Sequence, residues 1–206
     1  MKIICVRHTE TEGNIRGHYN GISESPYTKK GLLQKAVVEE EIVRISEDEP
    51  VACVYASPIS RARLIGEVVS KRLSVPFETN VALQEFNFGI FEGLTYREAE
   101  AKYPQFWKAW MADYDGYEIP GGDSFNAYHM RVAGFVNTLK AKHADDTVII
   151  VAHGGTVLSI LTVLLGLPSE ERWHFKIDLG AIVVVDCPEG FGILKQLYVP
   201  KYPNNI

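Results

Sequence analysis

Two histidines, two arginines and an asparagine stand in this chain where apolar runs break into polar ones. His8 follows Arg7 at the end of Ile3-Ile4-Cys5-Val6, and the polar stretch behind it closes at Asn14. His153 follows Val148-Ile149-Ile150-Val151-Ala152 and precedes Gly154-Gly155. Arg61 comes after Val51-Ala52-Cys53-Val54-Tyr55-Ala56 and the turn Ser57-Pro58-Ile59-Ser60. A neutral imidazole is a good nucleophile near neutral pH when one ring nitrogen is free and a hydrogen bond holds the other. Arginine's planar fork suits phosphate oxygens, and its charge is permanent. Glycines that open a helix after a strand let backbone N–H groups approach an anion. Together these groups would make a trap for a tetrahedral dianion around a nucleophilic histidine. Phosphoryl transfer asks mainly for positioning and charge stabilisation, which this set supplies without a metal. An acid for the departing alkoxide completes it. Glu85, in an otherwise uncharged stretch where burial would let it hold a proton, is preferred to Glu92 nearby.

Certain elements must position these groups. Each of the three apolar runs reads as a buried parallel strand with polar groups at its carboxyl end, the edge where open α/β sheets bind ligands. A helix capped by Thr28 is expected to run through Leu32, Leu33, Ala36, Val37 and Val43. Another begins just after Ser57-Pro58, with Leu64, Ile65, Val68 and Val69 as its apolar stripe. Further helices are expected from Phe125 to about Lys142, and over 156–165 with Gly166 and Pro168 as the stop. Strands at 181–185 and Ile193–Val199 close the chain as a hairpin over Pro188-Glu189-Gly190. From Val75 to about Ala144 the alternation loosens into a helical excursion over the sheet's carboxyl edge. The aromatics Tyr103, Phe106, Trp107, Trp110, Tyr114 and Tyr117 are read as its core. The expected fold is α/β: a mostly parallel central sheet, helices on both faces and a helical lid insertion at about 75–144, all in a single domain over 1–206.

Composition narrows the function classes. With 206 residues, 46% of them hydrophobic and 23% charged, the chain can bury a substantial core. Its net charge of −5 argues against a nucleic-acid or acidic-membrane partner, so an anionic ligand must be held by local positive charge. Cys5, Cys53 and Cys187 lie far apart without CxxC spacing, as structural thiols in a reducing compartment do. Arg7 interrupts the first apolar run too early for a signal peptide, and Val157 to Leu167 is too short to span a membrane. A cytoplasmic location is expected. The histidines show no HxH or HExxH spacing, so neither a metal site nor a cofactor is expected.

Arg7-His8-Thr9-Glu10-Thr11-Glu12-Gly13-Asn14 resembles the "RHGETxxN" signature of the histidine phosphatase superfamily, the phosphoglycerate mutase-like proteins. The resemblance runs on through Gly21, Gly31, the "SPxxRA" element Ser57 to Ala62 and the "LxExxxGxxEG" element Leu83 to Gly93. It then takes in "PGG" at 120–122 and "HGG" at 153–155, and so covers nearly the whole chain. It implies that His8 becomes the phosphohistidine, that Arg7, Arg61, His153 and Asn14 hold the phosphoryl group, and that Glu85 is the proton donor. Asn20, Gly21 and Gly154 are the further candidates for substrate binding. Three departures touch substrate identity. Thr9 replaces the usual glycine, as in some cobalamin-pathway phosphatases of this family; Asn20 replaces a glutamine before Gly21; Ile65 replaces a threonine after Arg61.

These readings imply a metal-independent phosphomonoesterase for a small phosphorylated metabolite, α-ribazole 5′-phosphate being one family possibility. The alternative is a phosphoglycerate mutase, and a further one a non-catalytic phosphate-binding protein. The intact set Arg7, His8, Arg61, Glu85 and His153 argues against the last. Against the mutase, Pro104 to Gly122 carries Lys108 as its only basic residue beside Asp113, Asp115 and Glu118, and would repel a substrate carboxylate. The short stretch after the last strand is likewise expected to leave the site open to water. His18, Arg16 and Tyr19 are candidates for the substrate rim, while His129, His143 and His174 receive no role. The oligomeric state stays open, a homodimer included.

Overall fold

The computed structural model describes residues 1–47 and 49–203. The chain begins with strand β1 (Lys2–Arg7) and a one-turn helix α1 (Glu12–Arg16), then helix α2 (Lys29–Ile45), strand β2 (Val51–Ala56) and helix α3 (Ser60–Leu73). A short strand β3 (Phe77–Thr79) follows, and after it helices α4 (Tyr96–Lys102), α5 (Pro104–Ala112) and α6 (Phe125–Lys142). Strand β4 (Thr147–Ala152), helix α7 (Gly154–Leu165), a 3₁₀ stretch at Ser169–His174, and strands β5 (Ile182–Asp186) and β6 (Ile193–Tyr198) complete it. The sheet runs β3-β2-β4-β1-β5-β6. Strands β1 to β4 are mutually parallel where they pair, and the β5–β6 hairpin joins antiparallel to β1.

The apolar runs are continuous because both faces of the sheet are covered. In β1, Ile3 and Cys5 pack into one core layer and Ile4 and Val6 into the other. In β4, Val148, Ile150 and Ala152 oppose Ile149 and Val151 in the same way. Val132, Val136 and Leu139 of α6, with Val157, Ile160 and Leu161 of α7, close the first layer; Val38 and Ile42 of α2, with Ala62, Ile65 and Val69 of α3, close the second. This side-chain period of two, buried on both sides, is what a parallel sheet demands.

The structure departs from the sequence expectations at four places. Strand β3 pairs in parallel with β2 as an edge, so residues 77–79 of the expected excursion belong to the sheet. Helix α7 starts at Gly154, two residues early, directly behind His153. Leu32 and Leu33 are about half exposed, because α2 buries the row Gln34, Val38 and Ile42 instead, at the i, i+4, i+8 spacing of one helical face. Leu64 of α3 also faces outward. The helix starts match: the Thr28 side chain accepts from the Gly31 N–H at 2.8 Å, as its N-cap reading requires.

Gly31 does more than follow a cap. Its carbonyl accepts the Thr9 hydroxyl at 2.8 Å, and a Cβ there would lie 1.8 Å from the Glu10 carbonyl oxygen. Backbone cannot swing aside as a flexible side chain can. Gly134, on the exposed face of α6, meets nothing within 4 Å. Gly31→Ala should therefore cost about 2 kcal/mol of unfolding free energy as an overpacked contact, and Gly134→Ala should gain about 0.5–1 kcal/mol from helix propensity. Urea unfolding of both variants checks the opposite signs; equal effects would contradict the close approach.

Candidate active site

The register of the central strands assembles the site. Arg7 pairs with Ala152 across β1 and β4, and Ala56 with Val151 across β2 and β4. His8, Ser57 and His153 therefore leave adjacent strand ends together. The His8 N–H donates to the Ala152 carbonyl at 3.1 Å, and the Ser57 N–H to the Val151 carbonyl at 3.0 Å. The rings of His8 and His153 meet edge to face, with centroids 5.3 Å apart.

The His8 ring is oriented for one job. Its Nδ1 lies 2.8 Å from the Thr9 carbonyl, which can only accept, so the proton sits on Nδ1 and Nε2 keeps its lone pair. Arg61 Nε donates toward that Nε2 at 3.2 Å. Burial, then the Arg61 and Arg7 charges, push the pKa of His8 well below its ordinary value of 6.5. Burial first, then the Arg61 charge, likewise lower His153, whose Nε2 lies 2.8 Å from the Ser57 hydroxyl. Both rings are buried and neutral.

Arg61 is 1% exposed and rigidly held. Its guanidinium donates to the carbonyls of Ser23 at 2.7 Å and Asn20 at 3.0 Å, and to that of Gly21. Arg7 donates through Nη1 to the Ile177 carbonyl. Arg7 Nε, His153 Nδ1 and Asn20 Nδ2 are buried nitrogens without a partner among the described residues. Buried polar nitrogens are rarely left unpaired, and two of these residues, Arg7 and Asn20, border one cavity. Arg7, Asn14, Asn20, Glu85 and Gly155 line a cavity of about 230 Å³. His8, Arg61 and His153 stand behind that lining.

The two glutamates separate cleanly. Glu85 reaches the cavity and accepts hydrogen bonds from the Tyr128 hydroxyl at 2.7 Å and from the N–H groups of Phe86 and Gly155, each at 2.9 Å. A Cβ on Gly155 would sit 2.6 Å from that carboxylate and 3.1 Å from the Tyr128 hydroxyl, so a larger residue there would push both from their present places. Glu92 faces elsewhere. It gathers the N–H groups of Gly21, Ile22, Ser23 and Phe88 and so shapes the loop that Arg61 grips from the other side.

The remaining candidates divide. Asn14 Oδ1 accepts from the Thr11 N–H and hydroxyl at 3.0 and 2.8 Å and caps α1, while the residue borders the cavity. Asn20 borders it too. Gly21 serves as a loop anchor between Glu92 and Arg61. Gly154 packs against the Arg7 guanidinium, and its neighbour Gly155 is the glycine that lines the cavity. Of the rim candidates, His18 and Tyr19 line the opening, whereas Arg16 points out to Glu12. Of the excursion's aromatics, Trp110 is core at 2% exposure, and with Tyr114 it also forms cavity wall. Of the histidines without a role, His143 bridges the Tyr55 hydroxyl and Asp146, His174 pairs with Glu171, and His129 stacks on the cavity-lining ring of Phe125. Among the described residues no three His, Cys, Asp or Glu side chains cluster as metal ligands.

Sequence reasoning missed Tyr128, Arg172 and Trp173. Tyr128 shares a helical face with Phe125 and Val132 and reads as core. Arg172 and Trp173 lie in a 3₁₀ stretch with no motif, so no signal marked them.

The profile of the histidine phosphatase superfamily (branch 1) matches residues 3–199. Adenosylcobalamin/alpha-ribazole phosphatase of Salmonella typhimurium is 31% identical over 96% of both chains. Phosphoserine phosphatase 1 of Hydrogenobacter thermophilus is 26% identical over 97% of this chain and 92% of its own. A crystal structure of the alpha-ribazole phosphatase from Shigella flexneri superposes with a TM-score of 0.87 at 27% identity, covering 98% of each chain. Sequence, sheet order and strand-end histidines converge on one assignment: the chain belongs to the histidine phosphatase superfamily, branch 1, and is a phosphatase.

Proposed function

We propose that His8 is the nucleophile of a metal-independent phosphomonoesterase, attacking phosphorus through Nε2. The observation that carries this is the pinned tautomer: Nδ1–H donates to the Thr9 carbonyl, so Nε2 carries the lone pair, which rests against Arg61 Nε until a phosphoryl group takes that place. Arg7, Arg61, His153 and Asn14 hold the phosphoryl oxygens, with charge already in place before the transition state forms. Attack makes an N–P bond as the ester P–O bond breaks, and Glu85 gives its proton to the departing alkoxide. A water then attacks the phosphohistidine, Glu85 takes back a proton, and inorganic phosphate leaves.

The alcohol part of the substrate lies against Tyr19, Phe86, Phe88, Trp110, Tyr114 and Trp173. So aromatic a wall favours a leaving group bearing a flat ring, as in α-ribazole 5′-phosphate, over a small zwitterion such as serine. The segment 1–206 acts as a single catalytic domain, with the part between β3 and α6 as its cover.

His8→Ala should abolish turnover, and rapid quenching with ³²P-labelled substrate should trap an acid-labile, alkali-stable adduct on His8 in the wild type. An acid-stable adduct would assign the nucleophile to another residue.

Glu85→Gln should slow alkyl phosphates at least about a hundredfold while sparing aryl phosphates, whose phenolates depart with little protonation. Equal losses on both would remove Glu85 as the donor.

Because burial and the two arginines lower its pKa, His8 should remain neutral as pH falls through 6.5. In ¹H–¹⁵N imidazole spectra, the resonance absent from His8→Gln should keep its neutral-form shift across that point. Protonation near 6.5 would show that the arginine field is not felt.

A further inference from the structure

Arg172 is 3% exposed in a stretch that the phosphoryl chemistry does not use. Its guanidinium lies 3.6 Å from the centroid of Phe125 and 4.8 Å from that of Trp173. It pairs with Asp115, in the loop after α5, and donates to the Ser169 carbonyl at 2.9 Å. The Asp115 carbonyl accepts the Asn126 N–H at 3.0 Å, in the first turn of α6. One buried cation thus ties together the loop after α5, the start of α6 and the 3₁₀ stretch that follows α7. Each of the three contributes cavity lining: Tyr114, Phe125 and Trp173. Trp173 is 63% exposed and lines the cavity, so its ring is accessible to a ligand there.

Charge alone does not explain Arg172. A lysine could pair with Asp115, but only a planar guanidinium can lie flat on Phe125 while reaching a carboxylate and a carbonyl. The acidic reading of residues 104–122 is also incomplete, since Asp115 is neutralised from outside the segment. The leaving-group end of the cavity presents aromatic faces and a paired cation.

We infer that Arg172 is a positioning residue for the leaving group, fixing Trp173 and Tyr114 as the rim on which a flat ring of the substrate stacks. This rests on the aromatic leaving-group reading given under Proposed function. Arg172 itself borders the cavity, but with its guanidinium engaged by Asp115, the Ser169 carbonyl and the Phe125 ring it sets selectivity through its neighbours.

Adenosine 5′-monophosphate and ribose 5-phosphate test it, because both are primary alkyl esters and the base ring distinguishes them. The readout is the ratio of their kcat/KM values. Wild type should favour the nucleotide. Arg172→Leu and Trp173→Leu should each cut the ratio about tenfold through KM for the nucleotide, the size of one lost stacking contact. Ribose 5-phosphate, with no base to stack, should lose far less kcat/KM than the nucleotide in both variants. Arg172→Lys, lacking the flat face, should not restore the ratio. Trp173→Leu alters a mostly exposed side chain and keeps the test valid if Arg172→Leu fails to fold. A wild type indifferent to the base would overturn the aromatic leaving-group reading, and this inference with it. A wild-type preference that survives both variants, or equal losses on both esters through kcat, would overturn the role of Arg172 and Trp173 alone.

Discussion

The pairing of β1 with β4 is the constraint on which this molecule depends. Both strands are buried on both faces, and their register places Arg7 opposite Ala152. A slip of one residue would turn every side chain to the other face of the sheet. Neither core layer would accept that, since each alternates fully buried residues from both strands. The hydrophobic register is therefore also the catalytic register. The side chains that meet at the carboxyl edge do so because the apolar residues behind them have only one way to pack.

The second demand on the fold is to keep positive charge out of water. Arg61 is almost wholly buried, and burial lowers its pKa while Glu85, Glu24 and Glu92 raise it. Carbonyl oxygens from the 20–23 loop solvate it in place of water. The nearby imidazoles contribute no further charge, being held neutral. A site prepared this way has its dipoles oriented before a dianion arrives, and little reorganisation remains for the reaction itself.

How much of this was legible in the sequence follows from the range of each interaction. The strands announced themselves because two-sided burial writes an unbroken apolar run, and Thr28 announced its helix through a local cap. The stripe of α2 was misjudged, since Leu32 and Leu33 look apolar while Gln34 does the packing. Strand β3 is three residues long and carries too little pattern to register. The candidate residues Arg7, His8, Arg61 and His153 were legible because they lie next to strand ends. Tyr128 and Arg172 were not, because each acts on residues more than forty positions away, Tyr128 on Glu85 and Arg172 on Asp115. Uncharged surroundings in sequence already favour Glu85 over Glu92, and of the two carboxylates it is the Glu85 one that reaches the cavity.

The loop at 20–23 carries a consequence beyond its shape. Its N–H groups end on the Glu92 carboxylate and its carbonyls on the Arg61 guanidinium. An anion and a cation are thus coupled through the peptide units between them, each polarising the amides in the same sense and strengthening the bonds at the far end. The loop acts as a dielectric relay. It lends the arginine part of the field of a carboxylate seated on the loop's other side.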